Sequence, residues 1–181
     1  MSQTAPPSGM LFVEFMGTGA GPRATPLEPG RPERHHAILT GDALKFGGVI
    51  AKSEPHGYQI VFSGPAQAIN CALAFLFRFA EYNKACDDPA QRVSLRQAVH
   101  QGAFQLQNDG VPREVAEILA QMLKVTPPGR IFSTRAAYAP SLGKTPCEFI
   151  PLGCEYFQGL RTPVDIFEVI PAPGGRKELS A

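Results

Sequence analysis

Apolar positions fall in blocks along this chain, and the period differs from block to block. Residues 10–16 (MLFVEFM) form a short, almost unbroken apolar run, the mark of a buried strand. Within 66–84 the period lengthens. Ile69, Ala72, Leu73, Leu76, Phe79 and Ala80 recur three and four apart, which predicts an amphipathic helix entered through Ser63-Gly64-Pro65. Phe75, Phe77 and Tyr82 widen its apolar side and predict contact with a second surface as well as a sheet. Residues 112–124 repeat the pattern with Val115, Ile118, Leu119 and Met122, and Pro127-Pro128-Gly129 stops it. A further helix is expected over 31–46, where Gly41 costs about 1 kcal/mol relative to Ala.

The remaining blocks read as strands. Residues 49–52 and 58–62 flank the turn SEPHG and form a hairpin. Residues 92–100 and 103–107, closed by Asn108-Asp109-Gly110, read as a strand pair. A strand over 130–133 leads into a helical turn over 134–138, and strands over 147–156 and 163–170 close the domain. The stretch TGAGPRATPLEPGRP is a Gly/Pro-rich loop. Residues 1–9 are expected to be a disordered leader and 171–181 a disordered tail around one domain over 10–170. Hairpins alternating with helices predict an α+β architecture, an antiparallel or mixed sheet with helices on one face.

Composition narrows the function classes. The 181 residues are 44% hydrophobic and 18% charged, enough for one domain with a full core. Seventeen Lys and Arg against 16 Asp and Glu leave a net charge of +1, which argues against an electrostatic nucleic-acid binder. The longest apolar run, 69–77, is far short of the ~20 residues of a membrane span. Cys71, Cys86, Cys147 and Cys154 form no C-x-x-C pair and read as reduced thiols, although Cys147 and Cys154 could pair. With no apolar stretch after a basic start, a cytoplasmic protein is expected.

Five segments, in order and in spacing, resemble the class III adenylate/guanylate cyclase catalytic domain. They are LFVEFMG at 11–17, FGGVIAKSEPHGYQIVF at 46–62, VHQGAF at 99–104, EVAEILAQMLKVTPPGRIFST at 114–134 and FIPLGCEYFQGLRTPVDIFEVI at 149–170. The resemblance implies a ferredoxin-like βαββαβ core with additional strands. It also implies pairing with a second such domain, as a homodimer or as a heterodimer with another cyclase-like domain, and an active site between the two.

The resemblance assigns site positions residue by residue. The two metal-binding aspartates of the family fall on Glu14 and His56. Mg²⁺ demands octahedral oxygen ligands, and neutral imidazole serves it poorly. The ribose-orienting Asn falls on Glu117 and the transition-state Arg on Gln121, one helical turn apart. An uncharged Gln cannot replace a charge-stabilising Arg, a loss typically worth on the order of 10³-fold or more in phosphoryl chemistry. Lys52 matches the base-reading Lys, with Gly17 on the first strand and Asp109 beside the other base-reading position, Gly110, completing the expected nucleotide contacts.

These substitutions predict a catalytically inactive regulatory or scaffolding module that needs no cofactor, with two subclasses left open: a nucleotide sensor, for which Lys52 is the main reason, and a plain protein-interaction domain with no ligand. The alternative is a divergent cyclase using Mg²⁺ or Mn²⁺, or the activating half of a heterodimer. Other routes to chemistry are not visible. Gly17-Thr18-Gly19-Ala20-Gly21 lacks the G-K-[ST] of a phosphate loop, and there is neither a G-x-S-x-G elbow nor an H-E-x-x-H helix. His35-His36 point in different directions on their helix, and His100 reads as structural.

Overall fold

The structure is a computed structural model of the whole chain, and it describes residues 7–17, 32–54, 56–89, 92–103 and 111–179. The elements run β1 (Pro7–Gly17), α1 (Pro32–Lys45), β2 (Val49–Glu54), β3 (Gly57–Phe62), α2 (Pro65–Lys84) and β4 (Val93–Ala103). They continue with α3 (Arg113–Val125), β5 (Ile131–Thr134), α4 (Arg135–Ser141), β6 (Cys147–Glu155), β7 (Val164–Pro171) and α5 (Gly175–Glu178). Seven strands make one sheet in the order β2-β3-β1-β4-β5-β7-β6, with β4–β5 the parallel pair. The first four strands, β2-β3-β1-β4, reproduce the antiparallel order of a βαββαβ core.

β1 lies third in the sheet and is apolar on both faces because both are covered. Leu11, Val13 and Phe15 join the core that contains Leu39, Leu73, Phe75 and Ala137, beneath α1, α2 and α4. Met10 and Phe12 face the other way, into a second cluster with Leu119 and Met122 of α3 and with Phe157. Helices therefore cover both faces, not one. A strand with apolar side chains pointing both ways cannot leave either side to water.

Several expectations change at the edges. β1 begins at Pro7, so residues 7–9 are strand and not leader. Gly9 is required there, since a Cβ would lie 2.3 Å from the carbonyl oxygen of Gly64. β4 runs unbroken through Gly102 because it pairs with β1 along its whole length, from Gly17↔Val93 to Pro7↔Ala103. The break expected between 100 and 103 is therefore absent, and residues 104–107 lie outside the described residues. The 171–181 tail is ordered over its described part. β7 reaches Pro171, and the one-turn α5 docks with Arg176 Nη1 3.0 Å from Oε1 of Glu81.

That docking gives the broad apolar side of α2 a use within the chain. α2 packs between α1 and α4, while Leu76 and Phe77 lie at the core margin with Leu179. Arg176 stands over the Phe77 ring, 5.9 Å from its centroid. Ala80, expected in the buried stripe, is exposed. Cys147 and Cys154 are free and lie seven residues apart on β6, roughly 23 Å along an extended strand and far beyond the reach of a disulfide.

Candidate functional site

Glu14 on β1 and Arg96 on β4 are direct cross-strand partners in the antiparallel register. Strand alternation puts them on the face of Met10, Phe12 and Ala98, beneath α3. Nε of Arg96 donates to Oε2 of Glu14 at 2.5 Å, and Nη2 lies 2.5 Å from the same oxygen.

The β2–β3 hairpin forms the next wall. Its tip is laced to β1, where the Phe15 amide donates to the His56 carbonyl at 2.8 Å. Gly57, opposite Glu14, permits that approach. A Cβ there would sit 2.4 Å from the carbonyl oxygen of Val13. α3 supplies the last wall with Ala116, Glu117, Ala120, Leu123 and Lys124. The three walls enclose a cleft of about 630 Å³ that brings Glu14, His56 and Glu117 together, with Glu54 and Arg96.

Each carboxylate of the cleft already has a cation beside it. Glu14 pairs with Arg96, Glu54 lies 2.5 Å from Nζ of Lys52, and Nε of Arg113 donates to Glu117 at 2.7 Å. Lys124 adds a further cation. Tyr58, also on the lining, has its phenol pushed up by burial, against a smaller opposing hydrogen bond from Ser53. Its hydroxyl lies 2.5 Å from Nδ1 of His36.

A pair of divalent ions does not fit these residues. Among the described residues no three His, Cys, Asp or Glu side chains converge as they would around a metal. Nδ1 of His56 is buried without a hydrogen-bond partner, but imidazole nitrogen is a poor ligand for Mg²⁺.

Other expected positions lie elsewhere. Gln121 is not on the cleft lining. Its Nε2 donates to the Gln158 carbonyl at 2.9 Å, and the Gln158 amide donates back to Oε1 at 2.7 Å, tying α3 to the β6–β7 connection. Lys52 is also off the lining, on edge strand β2. A bulge between Ile50 and Lys52 sets it opposite Gln59, which does line the cleft. Gly17 ends β1 opposite Val93, outside the cleft. Asp109 and Gly110 lie outside the described residues.

Sequence reading overlooked Arg96. The signal was present, because an arginine inside a strand that alternates Val93, Leu95, Ala98 and Val99 must have a partner once the strand is covered on both sides. His100, by contrast, is structural as expected. Its Nδ1 lies 2.9 Å from Oγ1 of Thr134, and burial pushes its pKa down to about 4.

No family model and no curated protein sequence matches the chain. Solved structures do. An adenylate/guanylate cyclase/hydrolase from Silicibacter pomeroyi superposes with a TM-score of 0.77 at 15% identity, covering 92% of this chain and 98% of that one. The adenylyl cyclase CyaB from P. aeruginosa gives a TM-score of 0.71 at 18% identity, with 93% and 96% covered. The guanylate cyclase domain of RhGC from Catenaria anguillulae, solved in complex with GTP, gives a TM-score of 0.71 at 14% identity, with 95% and 100% covered.

Proposed function

From the premise that this chain has the fold of class III adenylate/guanylate cyclase catalytic domains, we propose that it is a catalytically silent member of that fold, a regulatory or scaffolding signalling module. The observation that carries the reading is the state of the cleft. Its three carboxylates are each held by a cation of the same chain, and Gln121 is spent on the Gln158 backbone. Glu14, partly withdrawn from water with Arg96, is not free to hold a divalent ion over a triphosphate. An uncharged Gln121 bonded to backbone does not steady charge on phosphorus, whereas the exposed pairs at Glu54 and Glu117 cost little to exchange. Nucleotide sensing is the finer part of the proposal. Lys52 would have to exchange Glu54 for the ligand, at little cost, since an exposed pair is worth ~0–1 kcal/mol.

Pairing with a second domain of the same fold belongs to the same proposal. β6 is an edge strand among the described residues, and Ile150 and Leu152 on it and Tyr156 just after it are exposed apolar groups, Tyr156 at 82%. Light scattering on the full chain measures the association.

The deciding experiment is a cyclase assay with Mn²⁺ and ATP or GTP. We expect no cyclic product. Product formation that disappears in Glu14→Ala would establish the divergent-cyclase alternative instead. Calorimetry against a nucleotide panel tests the sensor, for which we expect saturable heat that is abolished in Lys52→Glu.

A further inference from the structure

Glu14 and Arg96 sit on adjacent central strands, so their Cα positions are fixed by the ladder and not by mobile loops. Both side chains are partly withdrawn from water, at 31% and 20% exposure. Two guanidinium nitrogens converge on a single carboxylate oxygen. This differs from the other two ion pairs of the cleft. Lys52 and Arg113 are 58% and 90% exposed and reach their carboxylates from solvent. Arginine cannot shed its charge at any ordinary pH, so the cation at Glu14 is permanent.

We infer that Arg96 is the resident cation of the cleft, its guanidinium bonded to Glu14 where the cyclase resemblance expects a divalent ion, so that Glu14 is not a metal ligand in this protein. The inference rests on reading the cleft as the counterpart of a cyclase site, and it adds the agent of metal exclusion. A divalent ion approaching Glu14 meets a fixed positive charge at contact distance and must also break charge-assisted hydrogen bonds. A lengthened carboxylate alone would weaken metal binding. A lengthened carboxylate already bonded to an arginine removes the ligand altogether.

The test is Mn²⁺ titration of the full chain at neutral pH without nucleotide, read as free aquo-Mn²⁺ by electron paramagnetic resonance. Wild type and Glu14→Gln are expected to give superimposable curves, because Glu14 binds no ion in either. Arg96→Gln, which frees the carboxylate and removes the charge, is expected to bind Mn²⁺ at least about tenfold more tightly than wild type. That gain is expected to vanish in the double variant Glu14→Gln/Arg96→Gln. Glu14-dependent binding by the wild type overturns the inference. So does an Arg96→Gln protein that gains nothing, or whose gain survives in the double variant.

If Arg96→Gln does not fold, Arg96→Met, which keeps the length and apolar stem of the side chain and removes the charge, takes its place with the same expected gain. The comparison of wild type with Glu14→Gln still decides whether Glu14 is a metal ligand. Failure here is separable from failure of the proposed function. Glu14-dependent Mn²⁺ binding without cyclic product sinks this inference alone. Cyclic product without Glu14-dependent Mn²⁺ binding sinks only the silent-module reading.

Discussion

Removing the Gln121 amide without changing its size isolates the link between α3 and the β6–β7 connection. Gln121→Met keeps the side-chain length and deletes both hydrogen bonds to the Gln158 backbone, the 2.9 Å donation and the 2.7 Å acceptance. Each such bond contributes about 0.5–1.5 kcal/mol net, and both lie toward solvent, so water recovers part of the loss. A destabilisation of roughly 1–2 kcal/mol follows. For a domain of this size that is a fall in Tm of about 3–6 °C. Chemical denaturation measures the first quantity and calorimetry the second. Amide hydrogen exchange adds a local readout, since the Gln158 N–H loses its acceptor and should exchange well before the neighbouring strand amides. A variant within about 0.5 kcal/mol of wild type, with Gln158 still protected, would refute the claim that Gln121 serves as a clamp.

Two further outcomes test the fold around the cleft. His100 has its pKa depressed to about 4 by burial, below its ordinary value near 6.5, so its neutral form stabilises the native state above pH 6.5 and that contribution is lost as pH falls toward 4. Urea unfolding at pH 7 and pH 4.5 should show His100→Asn losing roughly 2–3 kcal/mol less than wild type over that interval, and equal losses would contradict the buried-imidazole account. Gly57→Ala would press a methyl group to 2.4 Å from the Val13 carbonyl oxygen, between two paired strands that cannot part locally. A destabilisation near the upper end of the 1–3 kcal/mol typical of overpacking, about 3 kcal/mol, is expected from denaturant midpoints, and less than about 1 kcal/mol would show that the hairpin tip can move.

Much of the architecture was legible in one dimension because burial writes itself as periodicity. The three- and four-residue spacing of Ile69, Ala72, Leu73 and Phe79 marked α2, and all four side chains are buried. The apolar run at 10–16 marked β1, and the hairpin at 49–62 and the Pro-Pro-Gly stop after α3 fall where the sequence places them. Glu14, His56 and Glu117, which the resemblance assigns to site positions, line one cleft. Misreadings came where a long-range partner overrode a local signal. Gly102 marked a break, but the full-length β1 ladder carries β4 through it. Pro- and Gly-rich ends suggested disorder, but Pro7–Gly9 extend a strand and Arg176 finds Glu81.

The sequence by itself determined most of the helices and strands, whose periodicity depends on neighbours two to four residues away, along with the side chain present at each candidate position. Only the tertiary structure decided what those side chains do. Whether Glu14 is free or spent depends on Arg96, 82 residues later in the chain, and whether Gln121 faces the cleft depends on a backbone 37 residues on. Electrostatic and hydrogen-bond partnerships act over a few ångströms of space and carry no record in local composition, so strand pairing had to bring these groups together before their roles could be read.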